Sequence, residues 1–201
     1  MGMDGRDTWL SRSAENSSAD ADVRASYEDL ALRAATDADM DFLRGVFLST
    51  RMQEFMSAGL PVEQTESLLA SQFLMQHDYY RRHYPHGRFD IIVQGGKSIG
   101  RLYHDWTGDI AQLIDIALLP AYRGVGIGTR LMRALVVEAA RKHMPMQLYV
   151  EFNNPVRSLY RTLGFVPTGE NGIYELMHRD ALPFDDEGAR TSVEDLSRLF
   201  R

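Results

Sequence analysis

Residues 113–140 read LIDIALLPAYRGVGIGTRLMRALVVEAA, and the RGVGIG at 123–128 decides how the rest is read. An apolar run closes at Pro120, glycines follow at 124, 126 and 128, and apolar residues then recur four apart at Ile127, Leu131, Leu135 and Ala139. That is a strand, a glycine turn and a helix ending near Lys142. Glycines at such a handover do more than relieve a tight turn, for which two would suffice. Without side chains at Gly124 and Gly126, successive backbone N–H groups can turn inward as an anion cradle. The positive end of the following helix adds to it, so the turn suits a pyrophosphate.

Two other glycine patterns fail on spacing. GGKS at 95–98 would need a glycine five residues before Gly96, where Ile91 stands, and it is flanked by strands. The dinucleotide fingerprint fits Gly124 and Gly126, but its third glycine falls on Thr129. Only R-G-x-G-x-G between a strand and a helix fits throughout.

Outward from the turn, the periodicities give the remaining elements. EDLALRAAT alternates apolar and charged residues as an edge strand does. A helix capped by Thr36 carries Met40, Leu43 and Phe47 on one face, and a second, opened by Pro61, turns Leu69, Phe73 and Tyr80 inward. FDIIVQ and IGRLYHDW flank GGKS as a hairpin, and AQLIDIALLP is the next strand. After the glycine helix come the strand MQLYVEF, the short helix NPVRSLYRTLGF and the strand GIYELMHR. The order βααβββαβαβ predicts an α/β fold, a mixed central sheet with helices on both faces. Residues 27–180 form its domain. Residues 1–26, rich in Ser, Asp and Ala, read as a disordered tail, and 181–201 as a linker and short amphipathic helix.

The bulk properties narrow the partners. A formal charge of −6 over 201 residues argues against nucleic acid, and no apolar run is long enough for a membrane span. The beginning of the chain lacks the apolar segment of a signal peptide, so a cytoplasmic protein is expected. With no cysteine, nothing can be carried on a protein thiol. The histidines of HDYYRRHYPH match no zinc spacing and read as solvated, so no metal is expected.

IALLPAYRGVGIGTRLM resembles the acyl-CoA-binding motif Q/R-x-x-G-x-G/A of the GCN5-related N-acetyltransferase (GNAT) superfamily. NNPVRSLYRTLGF resembles the next motif of that superfamily, an Asn, a Tyr six residues later, then Gly-Phe. The resemblance covers roughly residues 29–180. It implies a strand splayed from its neighbour, with the exposed backbone of Ile116 and Leu118 pairing with the pantetheine arm of acetyl-CoA. It implies a pyrophosphate held by Arg123, Gly124, Val125, Gly126, Ile127, Gly128 and Thr129, with Asn154 on the cofactor arm. Tyr160 matches the tyrosine that protonates the departing CoA thiolate.

Acylating an amine also requires a base, because amines are largely protonated near neutral pH. Two carboxylates qualify. Relatives commonly place a glutamate at the position of Tyr149; Glu151 lies on the same strand face, one pleat (~6–7 Å) away. Asp115 is the rival, an acid inside an apolar strand that is either hydrogen-bonded in the core or used. Gln72, Gln76 and Tyr80 are four apart on the second helix, which borders the acceptor pocket in this superfamily. The expected function is transfer of an acetyl group from acetyl-CoA directly to the amine of a small molecule or peptide. The alternative is an idle acyl-CoA-binding module of the same fold, and a NAD-type oxidoreductase stands further off. In the C-terminal stretch, Thr191 and Glu194 are spaced as a capping box, and Val193, Leu196, Leu199 and Phe200 form an apolar face. That face should dock on its own domain or, preferably, across a homodimer.

Overall fold

The computed structural model describes residues 30–57, 61–181 and 198–200. Alternating and continuous apolar runs give seven strands: β1 (Leu30–Ala34), β2 (Arg88–Gln94), β3 (Lys97–Asp105), β4 (Ala111–Leu118), β5 (Met146–Glu151), β6 (Val166–Asn171) and β7 (Tyr174–Arg179). Four helices join them: α1 (Met40–Ser57), α2 (Val62–His83), α3 (Ile127–Arg141) and α4 (Arg157–Thr162). The strands form one sheet in the order β1-β2-β3-β4-β5-β7-β6. Only β4 and β5 run parallel; every other neighbouring pair is antiparallel. The mixed sheet expected from the sequence is therefore present, with one strand more. β6 escaped the pattern because Pro167 and Gly169 interrupt VPTGEN, and its register on β7 shifts between those two residues.

Side-chain alternation divides the core between the two faces. Under α3, the fully buried Leu131 and Leu135 pack with Ile92, Leu102, Leu113 and Leu148. On the opposite face Leu43 and Phe47 of α1 and Leu69 and Phe73 of α2 pack on Phe89, Ile91 and Tyr103. Thr36 opens a 3₁₀ turn ahead of α1: its N–H donates to Asp39 (2.9 Å), which also pairs with Arg33. Among the described residues no helix is long and apolar enough to cross a membrane.

The tail 1–26, Thr191, Val193, Glu194 and Leu196 lie outside the described residues. Leu199 and Phe200 do pack on their own domain. Phe200 is buried in the α3-side core, its ring 5.5 Å from that of His104.

Candidate active site

A bulge in β4 creates the site. Tyr103 pairs with Asp115 and His104 with Leu113, so Ile114 is an extra residue on β4. The bulge bends the strand. β4 pairs with β5 only at Ala111↔Met146, Gln112↔Gln147 and Leu113↔Leu148. Beyond Leu113 and Leu148 the two strands are not paired with each other, and a cavity of about 210 Å³ opens between them. Asp115, Ile116, Tyr149, Glu151, Asn154 and Tyr160 line it from the sheet and α4. Phe47, Thr50 and Arg51 of α1 and Gln76 and Tyr80 of α2 close its other side. An adjoining cavity of about 340 Å³ shares Phe47, Arg51, Gln76, Glu151 and Tyr174 with the first and adds Gln72 and Ile173. The three side chains singled out on α2 therefore all reach the site.

The far end of the splayed strand leads into the glycine turn. Gly124 has φ 75° and Gly126 φ 89°, left-handed values at which a β-carbon is strained. Val125 between them is exposed. The first bond of α3 runs from the Arg130 N–H to the Gly126 carbonyl (3.1 Å). The N–H groups of Ile127, Gly128 and Thr129 precede it at the helix head, where no carbonyl lies one turn back. A β-carbon on Gly124 would meet no atom within 4 Å, so the space over the turn is open. These residues fit a pyrophosphate. Ile127 contributes only its backbone, its side chain being buried in the core.

Three of the expected cofactor-site residues hold partners within the protein. Arg123 engages β4 and α1 with its side chain. Its Nε donates to the Leu118 carbonyl (2.8 Å), its Nη2 to Ser49 Oγ (2.7 Å), and its own N–H to the Pro120 carbonyl (3.2 Å). It is a brace between β4 and α1. The Leu118 carbonyl is thereby occupied, which leaves Ile116 as the residue of the pair that lines the gap. Asn154 borders the cavity, but its Oδ1 accepts from the Val156 N–H (3.0 Å) and so caps the turn into α4.

Both candidate bases sit in the cavity, each with an arginine. Asp115 Oδ2 accepts from Arg101 Nη2 (2.7 Å) and from the Tyr80 hydroxyl (3.4 Å). Arg101, almost fully buried, also donates to Gln76 (3.0 Å). Glu151 pairs with Arg51 of α1. Tyr160 is buried, and burial, aided by the Asp115 charge, pushes its phenol well above the usual range. The same two causes raise Tyr80. Both hydroxyls therefore stay protonated and can donate at neutral pH.

Sequence reasoning passed over both arginines. Arg101 had a signal, a charged residue at a core-facing position of IGRLYHDW. Arg51 had none, since an arginine on a helix ordinarily reads as solvated.

A model of the acetyltransferase (GNAT) family matches residues 52–165, more than half of the chain, so the chain belongs to that family. It is 32% identical over 87 residues to the mouse (Mus musculus) thialysine N-epsilon-acetyltransferase, a stretch that is 37% of this chain and 51% of that protein. The match thus spans about half of that relative's length. Among solved structures, the PaiA N-acetyltransferase of Thermoplasma acidophilum, crystallised with coenzyme A, superposes with a TM-score of 0.56 at 21% identity, covering 75% of this chain and 98% of that one. An acetyltransferase of Thermus thermophilus gives 0.52 at 18% identity, covering 75% and 96%. These likenesses support the fold.

Proposed function

We propose that this chain is an N-acetyltransferase that moves an acetyl group from acetyl-CoA directly to the amine of a small acceptor. The observation that carries the reading is the opening of β4 from β5 beyond Leu113, continuous with a left-handed glycine turn at the head of α3. Acetyl-CoA supplies an acetyl group activated as a thioester. Gly124, Gly126 and the N–H groups of Ile127, Gly128 and Thr129 hold its pyrophosphate, and the backbone beside Ile116 faces its arm.

Glu151 borders both cavities and so meets the acceptor on its way in. It takes the proton from the acceptor ammonium. The amine nitrogen forms the new N–C bond as the C–S bond breaks, the Tyr160 hydroxyl protonates the departing sulfur, and the second proton shed by the acylated nitrogen restores Tyr160 through solvent. Asp115, tied to Arg101 and Tyr80, positions the wall opposite. A proton donor and a carboxylate on one cavity favour an enzyme over an idle CoA-binding module, which needs neither.

The test is a thiol-release assay at fixed acetyl-CoA across a panel of amines, with acetylated product identified by mass spectrometry. Amine-dependent release of CoA is expected. CoA binding with no release for any amine supports the binding module instead.

A further inference from the structure

The turn between β5 and α4 joins Glu151, the base assigned above, to the helix that carries Tyr160, the acid, the two roles on which this inference rests. Glu151 is held within the β5–β7 ladder, paired with Tyr174. Tyr160 depends on a slighter frame. α4 is six residues long, too short to persist on its own backbone bonds. Its C-terminal end is anchored in the core by Tyr160 and, just beyond the helix, by Leu163 and Phe165. Its N-terminal end is anchored by Arg157, the first residue of the helix, whose guanidinium joins three elements. Nε donates to Glu175 Oε2 (3.0 Å) and Nη2 to Glu175 Oε1 (2.8 Å), a fork onto a buried carboxylate of β7. Nη1 donates to the carbonyl of Phe152 (2.7 Å), the residue that follows Glu151. A short helix held at one end pivots about it; held at both, it presents its side chains in one place.

We propose that Arg157 is a positioning residue for the transfer. Its fork to Glu175 and its bond to the Phe152 carbonyl fix the tilt of α4, and so the place of the Tyr160 hydroxyl relative to the departing sulfur and to Glu151. Charge alone does not supply this. A lysine ammonium is a point charge on a flexible stem and lacks the planar fork.

The experiment begins with Arg157→Lys, which keeps the charge and loses the fork. It should lower kcat by about tenfold, inside the roughly 100-fold cost of a misplacement of about 1 Å, and leave the KM for acetyl-CoA unchanged. Because the residue acts through Tyr160, the loss should shrink to less than about twofold in the Tyr160→Phe background. Losses that multiply in the double variant, or an unaltered turnover in Arg157→Lys, overturn the proposal while leaving the acetyltransferase reading intact. Arg157→Met with Glu175→Met removes both charges together, so neither is left buried and unpaired. That variant should stay folded and still lose turnover; full turnover in it would show that the pair serves stability alone and overturn the role. If no amine releases thiol from the unaltered protein, the acetyltransferase reading fails. Hydrogen exchange then tests the clamp by itself, at the Tyr160 N–H that bonds to the Val156 carbonyl (3.2 Å). Faster exchange there in Arg157→Lys, with the β5 amides unchanged, sustains it; unchanged exchange, or an equal rise across β5, overturns it.

Discussion

Tyr160 is fixed by its own short helix: its N–H bonds to the Val156 carbonyl (3.2 Å), and its ring packs 6.0 Å from Phe165. That local frame holds the hydroxyl against the cavity with its proton retained. Tyr160→Phe keeps the ring and removes the donor, so turnover should fall about 100-fold, the lower part of the range for a lost general acid, with the KM for acetyl-CoA unchanged. Steady-state kinetics of the variant decide it, and unaltered turnover would assign the proton to another group. Tyr160, Glu151, Asp115, Gln76 and Tyr80 were legible at this scale because each is a polar residue at a position set by a motif or a periodicity. Their arginine partners were less so. Arg51 meets Glu151 from a helix about a hundred residues earlier in the chain, and one sequence read along its length does not display such pairings.

At the scale of elements, the glycine turn and α3 carry local signals, and both came through. The bulge at Ile114 did not: an extra residue in LIDIALL leaves the composition apolar and shows only in the partner's register. The Arg123 brace is likewise a link between elements. It ties Ser49, on the helix that carries Phe47, Thr50 and Arg51, to the end of β4. Losing it should loosen the acceptor-side wall more than the cradle. Arg123→Ala and Ser49→Ala should each raise the acceptor KM, and the double variant should do little more than Arg123→Ala alone. Neighbours sharing one network couple in this way, by about 0.5–3 kcal/mol. Additive effects in the double-mutant cycle would show that the two residues act separately.

Across the whole molecule, the expected order of elements is present except for β6, and the helices lie on both faces. What the sequence concealed is the polar group buried behind the sheet. His104 on β3 lies 3.7 Å from Asp90 on β2, too far for a hydrogen bond, with Trp106 and Phe200 against its ring. Burial, and then the charges of Arg88 and Lys142, lower its pKa to about 3, with Asp105 opposing. The unfolded chain takes up this proton as pH falls through about 6.5, whereas the folded chain does not. Stability should therefore fall with pH from about 6.5 downward, by up to ~1.4 kcal/mol per unit from this residue. Asp90, raised by burial, acts with the opposite sign. His104→Phe should flatten the fall in Tm between about pH 6.5 and 5; an unchanged slope would mean that other groups set it. The account as a whole rests on CoA being seated at the glycine turn, and calorimetric titration of acetyl-CoA into the protein and its Gly126→Val variant tests that most directly. Valine at φ 89° is strained and branches into the cradle. The unaltered protein should bind acetyl-CoA, and the variant, confirmed as folded by its circular dichroism, should show no measurable binding. A folded variant that binds with unchanged affinity would contradict the account.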